Sequence, residues 1–298
     1  MTPLTGSMTQ APGFSRTRLG NAVITTVYDG ALPILATSMH DEDPERIREL
    51  LADECLPPDG EALTAVNTFL FESGGRLVLV DAGVGTAFGP GTGHLMANLE
   101  AAGVHPADVD DILITHLHAD HVYGVLAPGG TPAFPRAIVR AATLEADFWL
   151  DPQACPEINV GPPQTHQRAV EALAPYRASG RFQTFAYGEQ PVPGITAVDL
   201  HGHTPGHAGY LLDAGATGVL FWGDMVHNYA VQLPAPHVVV SMDNDRSTAH
   251  RTRARALDEI HRNGWVAGGT HLPFPGLGRV QVGHAGGFRW VPAPYRPV

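Results

Sequence analysis

Cysteine, basic residues and long apolar runs are all scarce in this chain, and each scarcity removes a class of protein. Two of the 298 residues are cysteine. Cys55 and Cys155 lie far apart and match no zinc or redox spacing, which excludes a disulfide framework or a thiolate metal cluster. One disulfide between them is conceivable, and two reduced thiols are the plainer reading. Lys and Arg number 18 against 30 Asp and Glu, a formal net charge of −12. That balance opposes docking on phosphate backbones or anionic membranes, so neither nucleic acid nor a membrane is an expected partner. No stretch approaches the roughly 18 apolar residues that a bilayer span requires. Met1 to Arg18 has no basic start followed by an apolar segment, so it does not read as a secretory signal. The expectation is a cytoplasmic protein, or an exported one if a leader has been trimmed.

A hydrophobic content of 44% is ample for a buried core. Residues 1–18 are expected to form a disordered arm and residues 19–298 one domain, because no repeat or low-complexity linker interrupts the chain. Ala22–Tyr28, Val66–Phe71 and Leu77–Val80 read as strands, with Ser73-Gly74-Gly75 making a hairpin of the last two. Asp43-Pro44 opens a helix whose buried stripe is Ile47, Leu50 and Leu51. A second helix is expected from His94 to Ala102, ending at Gly103. Ile112–Thr115 reads as a strand, and Leu144–Leu150 and Thr165–Ala174 as helices separated by a loop from Asp151 to Pro163. Ile195–Leu200, Gly209–Leu212 and Val219–Trp222 read as strands. A long helix capped by Ser247 ends near Asn263-Gly264, then comes a short strand Val266–Gly269 and a Pro/Gly-rich tail.

Histidine is abundant, at 16 residues, and unevenly placed. His116-Leu117-His118-Ala119-Asp120-His121 packs four donors at the end of an apolar run. Residues two apart in an extended segment point the same way, so His116 and His118 can reach one ion. Asp120 and His121 follow where the chain must turn and can face a second. Imidazole and carboxylate without thiolate suit zinc, with manganese, iron or cobalt as alternatives. His201-Gly202-His203-Thr204-Pro205-Gly206-His207 adds three histidines around a tight turn. His207 is taken as the third ligand beside His116 and His118, with His201 and His203 as supporting or surface groups. Asp224, ending the run Leu220-Phe221-Trp222-Gly223, can bridge two cations. His271, after Gly268-Gly269-Thr270, completes the second site with Asp120 and His121.

The order of these motifs resembles the metallo-β-lactamase superfamily of hydrolases, and Leu79-Val80-Asp81-Ala82-Gly83 matches its first motif. The resemblance implies a four-layer αββα sandwich, with Asp81 supporting a ligand imidazole from behind. A narrower resemblance, to the methyl parathion hydrolase family, rests on several segments. They are Ala11-Pro12-Gly13-Phe14, Phe88-Gly89-Pro90, Glu145-Ala146-Asp147-Phe148-Trp149-Leu150, Ala230-Val231-Gln232, His271-Leu272-Pro273-Phe274-Pro275-Gly276 and Trp290-Val291-Pro292. It implies that Phe88 and Trp149 line a hydrophobic substrate pocket and that a homodimer forms. Tyr123 stands where that superfamily often has glycine, and could narrow the site.

Two divalent ions about 3.5–4 Å apart can share a hydroxide as nucleophile. Asp120 and Asp224 would then belong to the catalytic group. His227, three residues after Asp224, could hydrogen-bond a carbonyl oxygen or protonate a leaving alkoxide. Superfamily lactonases tend to carry tyrosine there and organophosphate hydrolases an aliphatic residue. The expected substrates are hydrophobic lactones and activated aryl esters, with phosphotriesters as a parallel activity. A dedicated organophosphate triesterase is the alternative. A nuclease is opposed by the charge, and a non-catalytic metal module by the size of the ligand set.

Overall fold

In the computed structural model, residues 11–85, 87–89, 91–151, 165–283, 286–294 and 298 are described. Pro90, Cys155 and the expected loop beyond Asp151 lie outside them. The N-terminal half supplies β1 (Phe14–Leu19), β2 (Ala22–Leu35), β3 (Met39–His40), β4 (Glu61–Ser73), β5 (Arg76–Val80), β6 (Asp111–Leu113), β7 (Ile138–Ala142) and β8 (Phe182–Phe185). The C-terminal half supplies β9 (Ile195–Asp199), β10 (Ala208–Asp213), β11 (Gly218–Phe221), β12 (Val239–Val240), β13 (Val266–Gly268), β14 (Leu277–Val282) and β15 (Phe288–Pro292). The helices are α1 (Pro44–Asp53), α2 (Leu95–Ala101), α3 (Ala119–Val122), α4 (Thr143–Leu150), α5 (Thr165–Ala178), α6 (Tyr229–Gln232) and α7 (Arg246–Asn263).

One sheet runs β1-β2-β4-β5-β6-β7-β8 and a second β15-β14-β13-β11-β10-β9, while β3 and β12 pair with each other. Alternation of side chains explains the layers. On β4, Phe69 and Phe71 face the second sheet, and so do Val78 and Val80 of β5; Phe221, Tyr210 and Val266 meet them there. Leu70, Leu79 and Ile112 point the other way, onto α2 and α5 through Leu99 and Leu173. Leu220 and Trp222 lie on the outer face of the second sheet, against Ala256, Leu257 and Ile260 of α7. Strands buried on both faces carry continuous apolar runs, and the result is the αββα sandwich. Among the described residues no helix is long and apolar enough to cross a membrane.

Several boundaries differ from those expected. Phe14–Arg18, assigned above to a disordered arm, instead form an edge strand antiparallel to β2. β2 and β4 run on past their expected ends as a paired ribbon, with a register shift between Tyr28 and Gly30. Asp29 at that shift is buried and accepts the Val84 and Leu95 amides, each at 2.7 Å. α5 continues through Pro175 to Ala178. The cap of α7 is Asp245, whose side chain accepts the Thr248 amide, not Ser247. The expected Pro/Gly-rich tail contains β14 and β15, which extend the second sheet.

The parallel strands β5 and β6 end beside each other, as do β11 and β13. The segments that follow them carry Asp81, His116–His121, Asp224 and His271. Ligand sites in α/β sheets form outside such carboxyl ends.

Candidate metal centre

β6 stops at Leu113 rather than Thr115, because the Thr115 amide turns away to Asp81 at 2.8 Å. Asp81 holds a left-handed backbone, φ 57°, a strain that non-glycine residues sustain mainly at functional sites. Its carboxylate also takes the Thr115 hydroxyl and lies 2.8 Å from His121 Nδ1. The other His121 nitrogen therefore faces inward, 2.9 Å from Asp224.

Asp224 is the hub. One carboxylate oxygen lies 2.9 Å from His121 Nε2 and 3.1 Å from His271 Nε2; the other lies 3.1 Å from His227, 3.4 Å from His203 and 3.6 Å from His116. Two donor groups result, His116, His118, His203 and Asp224, and Asp120, His121, Asp224 and His271, each with its ligand atoms within 4.8 Å of one another. Asp224 belongs to both, the position of a bridge.

His203, not His207, joins His116 and His118, which corrects the expected third ligand. His207 Nδ1 pairs with the Leu200 carbonyl at 3.0 Å and its Nε2 accepts the Asp224 amide at 3.0 Å, so both ring nitrogens are spent. It is a backbone brace that fixes the hub. His203 is held by Asp243 at Nδ1, 2.9 Å away, and turns its Nε2 into the cluster, 3.0 Å from His118 Nδ1. His201 is exposed and paired with Asp199. Gly202 adopts φ 134°, and a Cβ there would stand 2.4 Å from the Ala249 amide nitrogen, so the loop that delivers His203 presses directly on α7.

The residues fit divalent cations. His116 Nε2, His121 Nε2 and Asp224 Oδ1 are buried without an aligned hydrogen-bond partner among the described residues. Such orphans are costly unless something occupies them. Protonation shows the same demand for positive charge. Burial disfavours the charged form of His118 and His207, which fall to about 3. His271 resists burial because Asp224 and Asp120 hold it up at about 10, and His121 is raised by Asp224 and Asp81. Burial pushes Asp224 up, but the surrounding imidazoles, His121 first, pull it well below the usual carboxylate range.

Three supporting residues escaped the sequence. Glu145, fully buried on α4, accepts the Leu117 amide with one oxygen and the Thr204 hydroxyl and Gly206 amide with the other, tying the two histidine loops together. Asp243 orients His203 and faces Arg253, a buried guanidinium that donates to the Met225 and Val238 carbonyls. Asn67 holds the loop of His271 through the Leu272 carbonyl at 2.7 Å. An acid in an apolar helix and an Asp among Asn and Asp carry no periodic signal that would single them out.

A cavity of about 310 Å³ opens over the cluster, walled by Phe88, Leu32, Ile34 and Met242 and bordered by His227. Phe88 stands where a pocket aromatic was expected, with the Arg168 guanidinium 5.1 Å from its ring centre. Trp149 and Tyr123 do not line it. Trp149 is buried behind the site, edge-on to His118, and Tyr123 turns its hydroxyl toward Glu171. His227 is buried, stacked on His271 with ring centres 5.6 Å apart.

Residues 62–260 match the metallo-beta-lactamase superfamily. The chain belongs to that superfamily. Its two His/Asp groups could each hold a metal ion. The crystal structure of AbOPH, a hydrolase in the beta lactamase superfamily, is 32% identical and superposes with a TM-score of 0.90 over 97% of this chain and 100% of that one. AidC, a dizinc quorum-quenching lactonase seen with a hexanoyl-homoserine product, is 24% identical, with a TM-score of 0.85 over 96% and 99% of the two chains. At that identity the likeness shows the fold. The beta-lactamase-like protein 2 homolog of Drosophila melanogaster is 29% identical over 173 residues, 57% of this chain and 49% of that protein. The chain thus spans about half the length of that curated relative.

Proposed function

We propose that this protein is a metal-dependent hydrolase that works with two divalent cations, zinc first and manganese, iron or cobalt as substitutes, and cleaves lactones and activated aryl esters. His116, His118 and His203 would hold one cation, Asp120, His121 and His271 the other, with Asp224 between them. Bound there, the cations supply a water of lowered pKa and Lewis acidity toward the substrate oxygen. The chain's own part is orientation and exclusion. Asp81 sets the ring of His121, Asp243 that of His203, and the Ala65 carbonyl that of His271 at 2.8 Å. Leu32, Ile34, Phe88 and Met242 keep bulk water from the reacting end of an apolar substrate.

The observation that carries the preference for carbonyl substrates is the place of His227. It sits buried at the cavity wall beside Asp224, and both ring nitrogens lack an aligned hydrogen-bond partner among the described residues. A donor there can bind a carbonyl oxygen or hand a proton to a leaving alkoxide. AidC, whose fold this chain shares and which carries a lactone-derived product, supports the same reading. The apolar, aromatic cavity favours a second reading, phosphotriester hydrolysis, because a bulky aryl phosphate also fits such walls.

Wild type and His227→Leu should be compared by kcat/KM on an aliphatic lactone, an aromatic lactone, an aryl acetate and a dialkyl aryl phosphate. Wild type is expected to favour the carbonyl substrates by more than about tenfold, and His227→Leu to lose most of that margin, worth ~1.4 kcal/mol per decade. Equal rates in both proteins would remove His227 from the reaction, and a phosphotriester preference would favour the second reading.

A further inference from the structure

A second, larger hollow adjoins the cavity. It measures about 1130 Å³ against about 310 Å³ for the cavity over the cluster, and the two share Thr64, His227 and His271 as common walls. Ligand sites usually run ~300–1,000 Å³, so the small cavity holds a compact group and the groove has room for much more. The ribbon of β2 and β4 divides them. It presents Ala31 and Leu63 to the groove and Leu32 and Ile34 to the cavity.

The lining of the groove is chemically selective. In a chain with 18 basic and 30 acidic side chains, none of the described residues lining the groove is Lys, Arg, Asp or Glu. Tyr28, Leu56, Leu63, Tyr229 and Phe274 are among its apolar walls. Tyr28 and Phe274 meet edge to face with ring centres 5.9 Å apart. Leu63 is 68% exposed and Phe274 39%, two large apolar side chains left in water on the same groove. Away from His271, a charged ligand would lose its hydration there with no Lys, Arg, Asp or Glu among the described walls to meet it, whereas an aliphatic chain would cover surface that is otherwise wet.

We propose that this groove receives a long, neutral aliphatic chain of the substrate while the compact reacting end sits in the cavity over Asp224. The enzyme's substrates are then esters or lactones with two unequal ends. This rests on the hydrolytic reading above and narrows it. Chain length becomes the specificity determinant, with Leu63 and Ala97 at the groove wall and away from the cluster.

The test is kcat/KM of the zinc-loaded protein on two homologous series, aryl esters with acyl chains of about two to ten carbons and lactones with alkyl substituents of the same range. The rate constant is expected to rise by up to about fourfold per methylene in at least one series. Ala97→Trp fills the groove and Leu63→Arg places a charge in it. Each should cut the ratio of longest to shortest substrate by roughly tenfold or more while leaving the shortest within about twofold of wild type. Flat series in wild type overturn the proposal, as do variants that lower short and long substrates equally. No turnover of even the shortest members would overturn the hydrolytic reading and this inference with it.

Discussion

His203 and His207 are the same side chain four residues apart, and hydrogen-bond partners alone separate their tasks. One ring nitrogen of His203 faces the cluster and meets only His118 there, whereas both of His207 are bound to backbone. His203→Ala is therefore expected to lower the bound cation content by about one ion per chain, as ligand loss does. His207→Ala should keep the cation content but leave the Asp224 amide and Leu200 carbonyl unpaired, at a cost of ~1–3 kcal/mol in chemical denaturation. Metal analysis of the two variants beside their denaturation midpoints decides it, and the opposite pattern would restore His207 as ligand. The contiguous His-x-His-x-Asp-His segment was legible because spacing alone brings those donors together. The choice within the second segment was not, because it depends on how Pro205-Gly206 turns and on Asp243, 40 residues away from His203.

At the scale of elements, α7 couples the site to the outer layer. It carries Arg253, buried against Asp243, and starts at Asp245, whose two oxygens take the Thr248 amide at 3.0 Å and hydroxyl at 2.7 Å. Those bonds from Thr248 pull the Asp245 carboxyl below its usual pKa of 3.8. A depressed acid contributes stability above its unfolded pKa and loses it as the pH falls through the folded value. Asp245→Ala should thus cost ~1 kcal/mol near neutral pH, and the gap to wild type should close below about pH 4. Urea midpoints for both proteins across that range check it; a gap independent of pH would show that the charge plays no part. The sequence pointed to Ser247 as the cap, and only the backbone angles identify Asp245, which is extended, φ −124° and ψ 95°, ahead of the first helical residue. Helix α1, with Asp43 as cap and Pro44 first in the helix, was legible because both signals agree. The ends of β2 and β4 were not, since ribbon residues such as Pro33 and Thr64 are stabilised by pairing across the strands rather than by their own propensities.

For the whole molecule, two sheets meet at a core of Phe69, Phe71, Tyr210 and Phe221, and the chain ends of their central strands define one site edge. Short apolar runs identified those central strands, and the motif order implied how the layers stack. The flanks were hidden: β1 lay in a segment read as an arm, and β14 and β15 in one read as a tail, because Gly, Pro and Arg interrupt their apolar pattern. What the assembly achieves is a single carboxylate, Asp224, ringed by imidazoles from three other segments of the chain. The most direct test is to titrate the cation-free protein with zinc, measuring bound ions per chain and kcat/KM on an aryl acetate in the same samples. The rate is expected to rise from near zero and level off as the content approaches about two ions per chain, and to vanish on chelation. Full activity in the cation-free protein, or a plateau reached with less than about one ion per chain, would contradict a dinuclear hydrolase.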